Sequence, residues 1–168
     1  GVTGFGMSAT ATGFVMTLDN IAALFILPFI GAWSDRIRTK MGRRKPFIAM
    51  GAPLAFIGFI GIPIMLNVSL IPFMIAIFIT LFFMDVFRTP VISLMPDITP
   101  SPQRSQANGI INLMGGVGAV LAFVVGGILF KVSVGAPFYF GGIIMLIGAA
   151  VVLYFIKEPE VPEPKEEE

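Results

Sequence analysis

Gly31-Ala-Trp-Ser-Asp-Arg-Ile-Arg-Thr-Lys-Met-Gly-Arg-Arg-Lys-Pro46 is a short basic stretch between two long apolar runs. It carries Arg36, Arg38, Lys40, Arg43, Arg44 and Lys45. Lys and Arg gathered between two apolar segments mark the cytosolic side of a membrane hairpin. The stretch therefore reads as a loop between two spans, and the orientation of the other spans is counted from it.

Composition points the same way. Of 168 residues, 56% are hydrophobic and only 12% are charged. A soluble domain carries about 25% charged residues. The mean hydropathy is +0.92. A net charge of +1 conceals strong segregation of the charges along the chain. There is no cysteine and no histidine. Disulfides and thiolate sites are thereby excluded, and the commonest metal ligand and neutral-pH proton shuttle is missing. Proton chemistry must fall to carboxylates. No base stands paired with a nucleophile, so no enzyme, cofactor or metal site is expected. Nucleic acid is not an expected partner, because the basic cluster lies at a membrane surface. The opening Gly1-Val-Thr-Gly-Phe-Gly6 has no basic lead-in, so it does not read as a secretory signal peptide.

About 20 mostly apolar residues are needed to cross the hydrocarbon as a helix. Five runs qualify, at about 9–34, 46–66, 70–95, 107–130 and 136–156. The first is interrupted by Asp19 and Asn20, and the third by Asp85 and Arg88, with Pro90 as an expected bend. Short connections predict that sequential helices lie side by side and antiparallel. The loop after the third span adds Arg104, whereas the opposite side has only Lys131. The positive-inside rule then places the loops after spans one and three in the cytosol. The C-terminus falls on the same side. Residues 1–156 thus read as a transmembrane unit. Residues 157–168, acidic and proline-rich, read as a solvated cytosolic linker.

Gly31, Asp35, Arg36, Gly42, Arg43 and Arg44 form G-x-x-x-D-R-x(5)-G-R-R. This resembles the loop between the second and third helices of the major facilitator superfamily. Its long spacing and the run through Lys45-Pro46-Phe47-Ile48 resemble the sugar:cation symporter branch, which includes glycoside–pentoside–hexuronide and sucrose transporters. A second stretch, Leu94-Met-Pro-Asp-Ile-Thr-Pro-Ser-Pro-Gln-Arg-Ser-Gln-Ala-Asn-Gly109, resembles the fourth-to-fifth helix connection of the same group. The resemblance implies an all-α membrane protein whose five spans match helices two to six of a twelve-helix fold. The first helix and the C-terminal half would be further parts of the same transporter. It also implies that Gly31, Asp35, Arg36, Gly42, Arg43 and Arg44 form a cytosolic gate, which Asp97 and Arg104 would join.

The loop has a physical logic of its own. Asp35 sits at a helix C-terminus, where the dipole disfavours a carboxylate, so it needs a cationic partner. Gly31, one turn earlier, allows close approach of another backbone. The competing reading is that the basic residues only set topology and touch lipid headgroups. That reading is preferred for Lys40 and Lys45.

Ionisable groups inside a span are functional candidates. Asp19 lies roughly 15 Å into a core of about 30 Å, the depth of transporter binding sites. It can carry a proton, help hold a cation or bond sugar hydroxyls, with Asn20 beside it. Asp85 and Arg88 share a helical face three residues apart. They either neutralise each other or take part in coupling. Leu27 and Ala23 occupy positions where the sodium:melibiose-type subgroup has carboxylates, so a proton, or no coupling ion, is expected in place of sodium. The fourth span is rich in glycine, which suits tight helix packing. The glycine-proline-x-x-glycine-glycine pattern of superfamily antiporters is absent, which favours import.

The expected function is secondary active transport of a sugar or glycoside through an inner membrane, by alternating access. The alternatives are a drug or amphiphile exporter and a non-transporting membrane sensor or scaffold.

Overall fold

The computed structural model describes residues 9–39 and 41–158, without the side chains of Ala9, Ala11, Thr12, Val15, Met16 and Asp19. Within them run five α-helices: α1 (Ala9–Arg36), α2 (Lys45–Met65), α3 (Leu70–Ile98), α4 (Arg104–Val132) and α5 (Ala136–Phe155). A single 3₁₀ turn, Ser101–Gln103, leads into α4. Four of the stretches are long and apolar enough to cross a membrane: Lys45–Leu66, Leu70–Ile98, Ser101–Val132 and Ala136–Phe155. α1 is a further 28-residue helix that contains Pro28. The chain is an all-α, multi-pass integral membrane protein.

Three helices, α1, α3 and α4, overrun the spans read from sequence. α3 continues to Ile98, so Asp97 lies in its last turn and not in a loop. Backbone bonding does not stop where the hydrocarbon does, and a helix can extend into the headgroup layer. Pro90 is accommodated inside the continuous helix and is buried.

Packing order differs from chain order. α2 lies against α3 and α5, α1 against α3, and α4 against α5. The row is therefore α1–α3–α2–α5–α4. Short connections do make neighbours of α2 and α3, and of α4 and α5. α1 and α2 instead meet mainly at their loop ends, where Trp33 sets its ring edge-on to Phe47 at 5.4 Å. The eight residues between them, 37–44, are long enough to let α2 pass to the far side of α3.

Close contact between α2 and α3 rests on glycine at two places. A Cβ on Gly51 would lie 2.8 Å from Phe87 Cβ and 3.0 Å from its backbone nitrogen. One on Gly58 would overlap the Thr80 hydroxyl. In lipid no hydrophobic force drives helices together, so such near approach and its dispersion contacts hold α2 on α3. Two small cores result. Ile30, Phe47 and Val86 join α1, α2 and α3, and Ile48, Ala52 and Ala149 join α2 to α5 with Phe87 and Val91 against them. Both cluster at the loop end of α2, directly beneath the charged residues. The glycines of α4 behave differently: a Cβ on Gly109, Gly115, Gly116, Gly118, Gly126 or Gly127 would meet nothing within 4 Å.

Candidate functional site: a charged bracket at the loop end

The site begins with a turn. Thr39 and Gly42 exchange backbone hydrogen bonds, Gly42 N–H to Thr39 O at 2.9 Å and Thr39 N–H to Gly42 O at 3.3 Å. The Thr39 hydroxyl donates to Gly42 O as well, at 2.8 Å. Closing so tightly requires a left-handed residue, and Gly42 takes φ +106°. The turn delivers Arg43, Arg44 and Lys45 to the start of α2, with Arg44 at its N-cap position.

The start of α2 has no side-chain cap of its own. Its free amide donors are met from across the molecule by Glu158, just beyond α5. The Glu158 carboxylate accepts from the backbone N–H of Arg44 at 2.7 Å, of Lys45 at 3.2 Å, and of Arg43. Pro46 brings no donor to satisfy. A carboxylate here is favoured by the positive end of the helix dipole. Lys45 answers in the other direction, donating from Nζ to Leu153 O at 3.0 Å in the last turn of α5. The two contacts form a reciprocal clamp between α2 and α5.

Arg44 is the hub. Its side chain is 7% exposed. Nη2 contacts Asp35 Oδ1 at 2.6 Å, Nε donates to Asp97 Oδ2 at 3.1 Å, and Nη1 donates to the Ser34 hydroxyl. That hydroxyl in turn donates to Gly31 O. Arg43 adds a second cation to Asp97, at 3.3 Å. Asp35 and Asp97 both sit at helix C-termini, where a lone carboxylate is disfavoured. One planar guanidinium with several donors satisfies both helix ends at once. The bracket therefore ties the ends of α1 and α3 to the start of α2, and Glu158 adds α5.

The sequence-derived candidates divide cleanly. Asp35, Gly42, Arg43, Arg44 and Asp97 come together. Gly31 sits one turn below, where a Cβ would make only ordinary contact with Thr89 at 3.7 Å. Arg36 is exposed and outside the network. Arg104 is likewise apart: it is exposed and donates to Thr99 O at 3.2 Å within its own connection. Asp85 is partly buried on α3, and Arg88 is exposed one turn on. Asn20 is exposed on α1; the Asp19 side chain and all of Lys40 lie outside the described residues. Thr89, between Gly31 and the α3 core, has a buried hydroxyl without a hydrogen-bond partner among the described residues.

Two members of the bracket were not foreseen. Ser34 looked like an ordinary residue near a span end. Glu158 fell in a segment read as a solvated linker, yet its carboxylate is docked on α2; residues 159–168 lie outside the described residues. A signal was present. The run Arg43-Arg44-Lys45-Pro46 starts a helix without Ser, Thr, Asp or Asn to cap it, so a carboxylate had to come from elsewhere.

Comparison with known proteins bears on this arrangement. No solved structure matches. Sucrose transport protein SUC3 of Arabidopsis thaliana is 26% identical over 72% of this chain, and proton-associated sugar transporter A of Mus musculus is 29% identical over 73%. Multidrug resistance protein 2 of Bacillus subtilis is 24% identical over 90% of the chain. The aligned parts make up 24%, 18% and 36% of those relatives, so the chain spans only a fraction of their length. A sucrose transport protein and a sugar transporter are carriers, not enzymes. The Major Facilitator Superfamily model matches residues 2–168, practically the whole chain with its bracketed loop, and the protein belongs to that superfamily.

Proposed function

We propose that this chain is part of a secondary active transporter that carries a sugar or glycoside, coupled to protons, by alternating access. The observation that carries the reading is the Arg44 bracket. It links three helix ends through charge-assisted bonds that can be made and broken as a unit, which is what a cytosolic gate requires. Gly31, Asp35, Gly42, Arg43, Arg44 and Asp97 are its parts, and Ser34 and Glu158 belong with them. The sugar reading is supported by the names of the relatives. Asp19 and Asn20, at mid-span depth in α1, are the proposed contacts for substrate or proton, with Asp85 and Arg88 on α3 as the second charged pair. The basic loop and the C-terminal tail face the cytosol of a cell membrane, in contact with lipid headgroups. A further helix and a C-terminal half would complete the pore.

Uptake of labelled disaccharide by cells expressing the whole gene tests this. Accumulation should follow an inward proton gradient and collapse with a protonophore. Asp19→Asn should abolish gradient-driven accumulation while leaving membrane insertion intact. Sugar uptake indifferent to the gradient would remove the coupling claim. Extrusion of lipophilic dyes without sugar uptake would favour the exporter reading, which the Bacillus subtilis relative supports.

A further inference from the structure

We infer that the loop end of α1 holds a site for an anionic phospholipid, built from Phe29, Ala32, Trp33 and Arg36. These residues recur at i, i+3, i+4 and i+7, so they form one stripe along the helix. The adjoining face of α1, roughly a quarter-turn round the helix, is committed to the protein: Ile30 and Ser34 are buried, and Ile26 and Ile37 pack on the α1–α3 core. The stripe itself looks outward. Phe29 is 68% exposed and Trp33 49% exposed.

The four side chains line a groove of about 250 Å³. At ~30 Å³ for each water in the liquid, that is room for about eight waters, the scale of a phosphodiester and its glycerol carbons. Trp33 is wedged between Phe29, at 6.3 Å between ring centres, and the buried Phe47. One turn beyond lies Arg36, whose neighbours in sequence explain why it is available. Asp35 is taken by Arg44, and Asp97 by Arg43 and Arg44. No ion pair claims Arg36 among the described residues. An aromatic at headgroup level with a guanidinium one turn further out matches the two halves of an acidic lipid. The acyl chain lies on Phe29, Ala32 and Trp33, and the phosphate takes paired hydrogen bonds from Arg36. A soluble phosphate would gain nothing from the aromatic walls, so the occupant is a lipid. This inference rests on membrane embedding and not on sugar transport.

Trp33 is the one tryptophan of the chain, so its fluorescence reports on this groove alone. The full chain is placed in vesicles of phosphatidylcholine containing equal mole fractions of either brominated phosphatidylglycerol or brominated phosphatidylcholine, with bromine near the headgroup. The acidic lipid should be enriched about fivefold beside Trp33, the factor that corresponds to roughly 1 kcal/mol per basic residue at a membrane surface. Raised salt should lower the enrichment. Arg36→Gln should abolish it, and Arg36→Lys should keep most of it, which separates lost charge from lost folding. Equal quenching by the two lipids overturns the inference, as does unchanged enrichment in Arg36→Gln. Absence of quenching by either lipid also overturns it, because protein would then cover the groove.

Discussion

Gly42 is constrained twice. Its φ of +106° lies where side chains are strained, and the space a Cβ would fill holds the Glu158 carboxylate. Gly42→Ala should therefore cost about 1–3 kcal/mol. Amide hydrogen exchange would show the loss where it arises, as faster exchange at Arg43, Arg44 and Lys45 once Glu158 is displaced. Glu158→Gln, which keeps an acceptor but loses the charge, should show the same change in milder form. Arg44 is harder to replace. Arg44→Ala leaves two carboxylates at two helix ends with one fewer cation, and a fall in melting temperature equivalent to about 3 kcal/mol is expected in detergent. Asp35→Asn should cost under about 1 kcal/mol, because Asp35 is 51% exposed and water compensates it. In the opposite sense, Thr89→Val removes an unpartnered buried hydroxyl at nearly constant volume and should raise stability by about 1 kcal/mol in the same melt. Individual residues were legible where the chain places charge against charge within one loop. Asp35, Arg43 and Arg44 were readable because helix-end electrostatics demands partners nearby. Asp97 came from the last turn of α3 and Glu158 from 114 residues away, and nothing in local spacing fixes which distant carboxylate docks.

At the scale of elements, α2 is the member everything else leans on. It touches α3 and α5 along its length and meets α1 at its head, and both small cores include its first two turns. Five long helices were readable from hydropathy because 20-residue apolar runs have one structural outcome in a bilayer. Their neighbours were not, because loop length limits distance without choosing a direction. The glycines illustrate the same limit. Sequence alone does not distinguish Gly51 and Gly58 from the glycines of α4, but a facing helix closes on the former and on none of the latter. A matched pair of substitutions separates them. Gly51→Ala should destabilise by about 1–3 kcal/mol, since the obstacle includes the Phe87 backbone and cannot rotate away. Gly116→Ala, with open space around it, should be neutral or stabilise by up to about 1 kcal/mol through helix propensity. Thermal melts of the two variants in one detergent give the comparison. A larger loss from Gly116→Ala would mean that α4 is covered by a partner segment.

For the molecule as a whole, the decisive quantity is which side of the membrane the bracket faces. The ends of α1 and α3 and the start of α2 gather their charge in one layer, while the α2–α3 turn, Asn67-Val68-Ser69, carries none. Lys and Arg retained on one side orient a membrane protein, and on that ground the proposed gate faces the cytosol. The absence of native cysteine makes the proposal directly measurable, because a single introduced thiol is the only reactive one. Met41 and Val68 are suitable positions: both are exposed, and they lie in the two turns at opposite ends of α2. In intact cells a membrane-impermeant maleimide should label Val68→Cys at once. Met41→Cys should react only after permeabilisation. The reverse pattern would put the arginines outside, and a gate opening to the cytosol could not then be built from Arg44, Asp35 and Asp97. Equal labelling of both positions in sealed cells would mean that the chain inserts in two orientations, and the charge asymmetry would then be too weak to orient it.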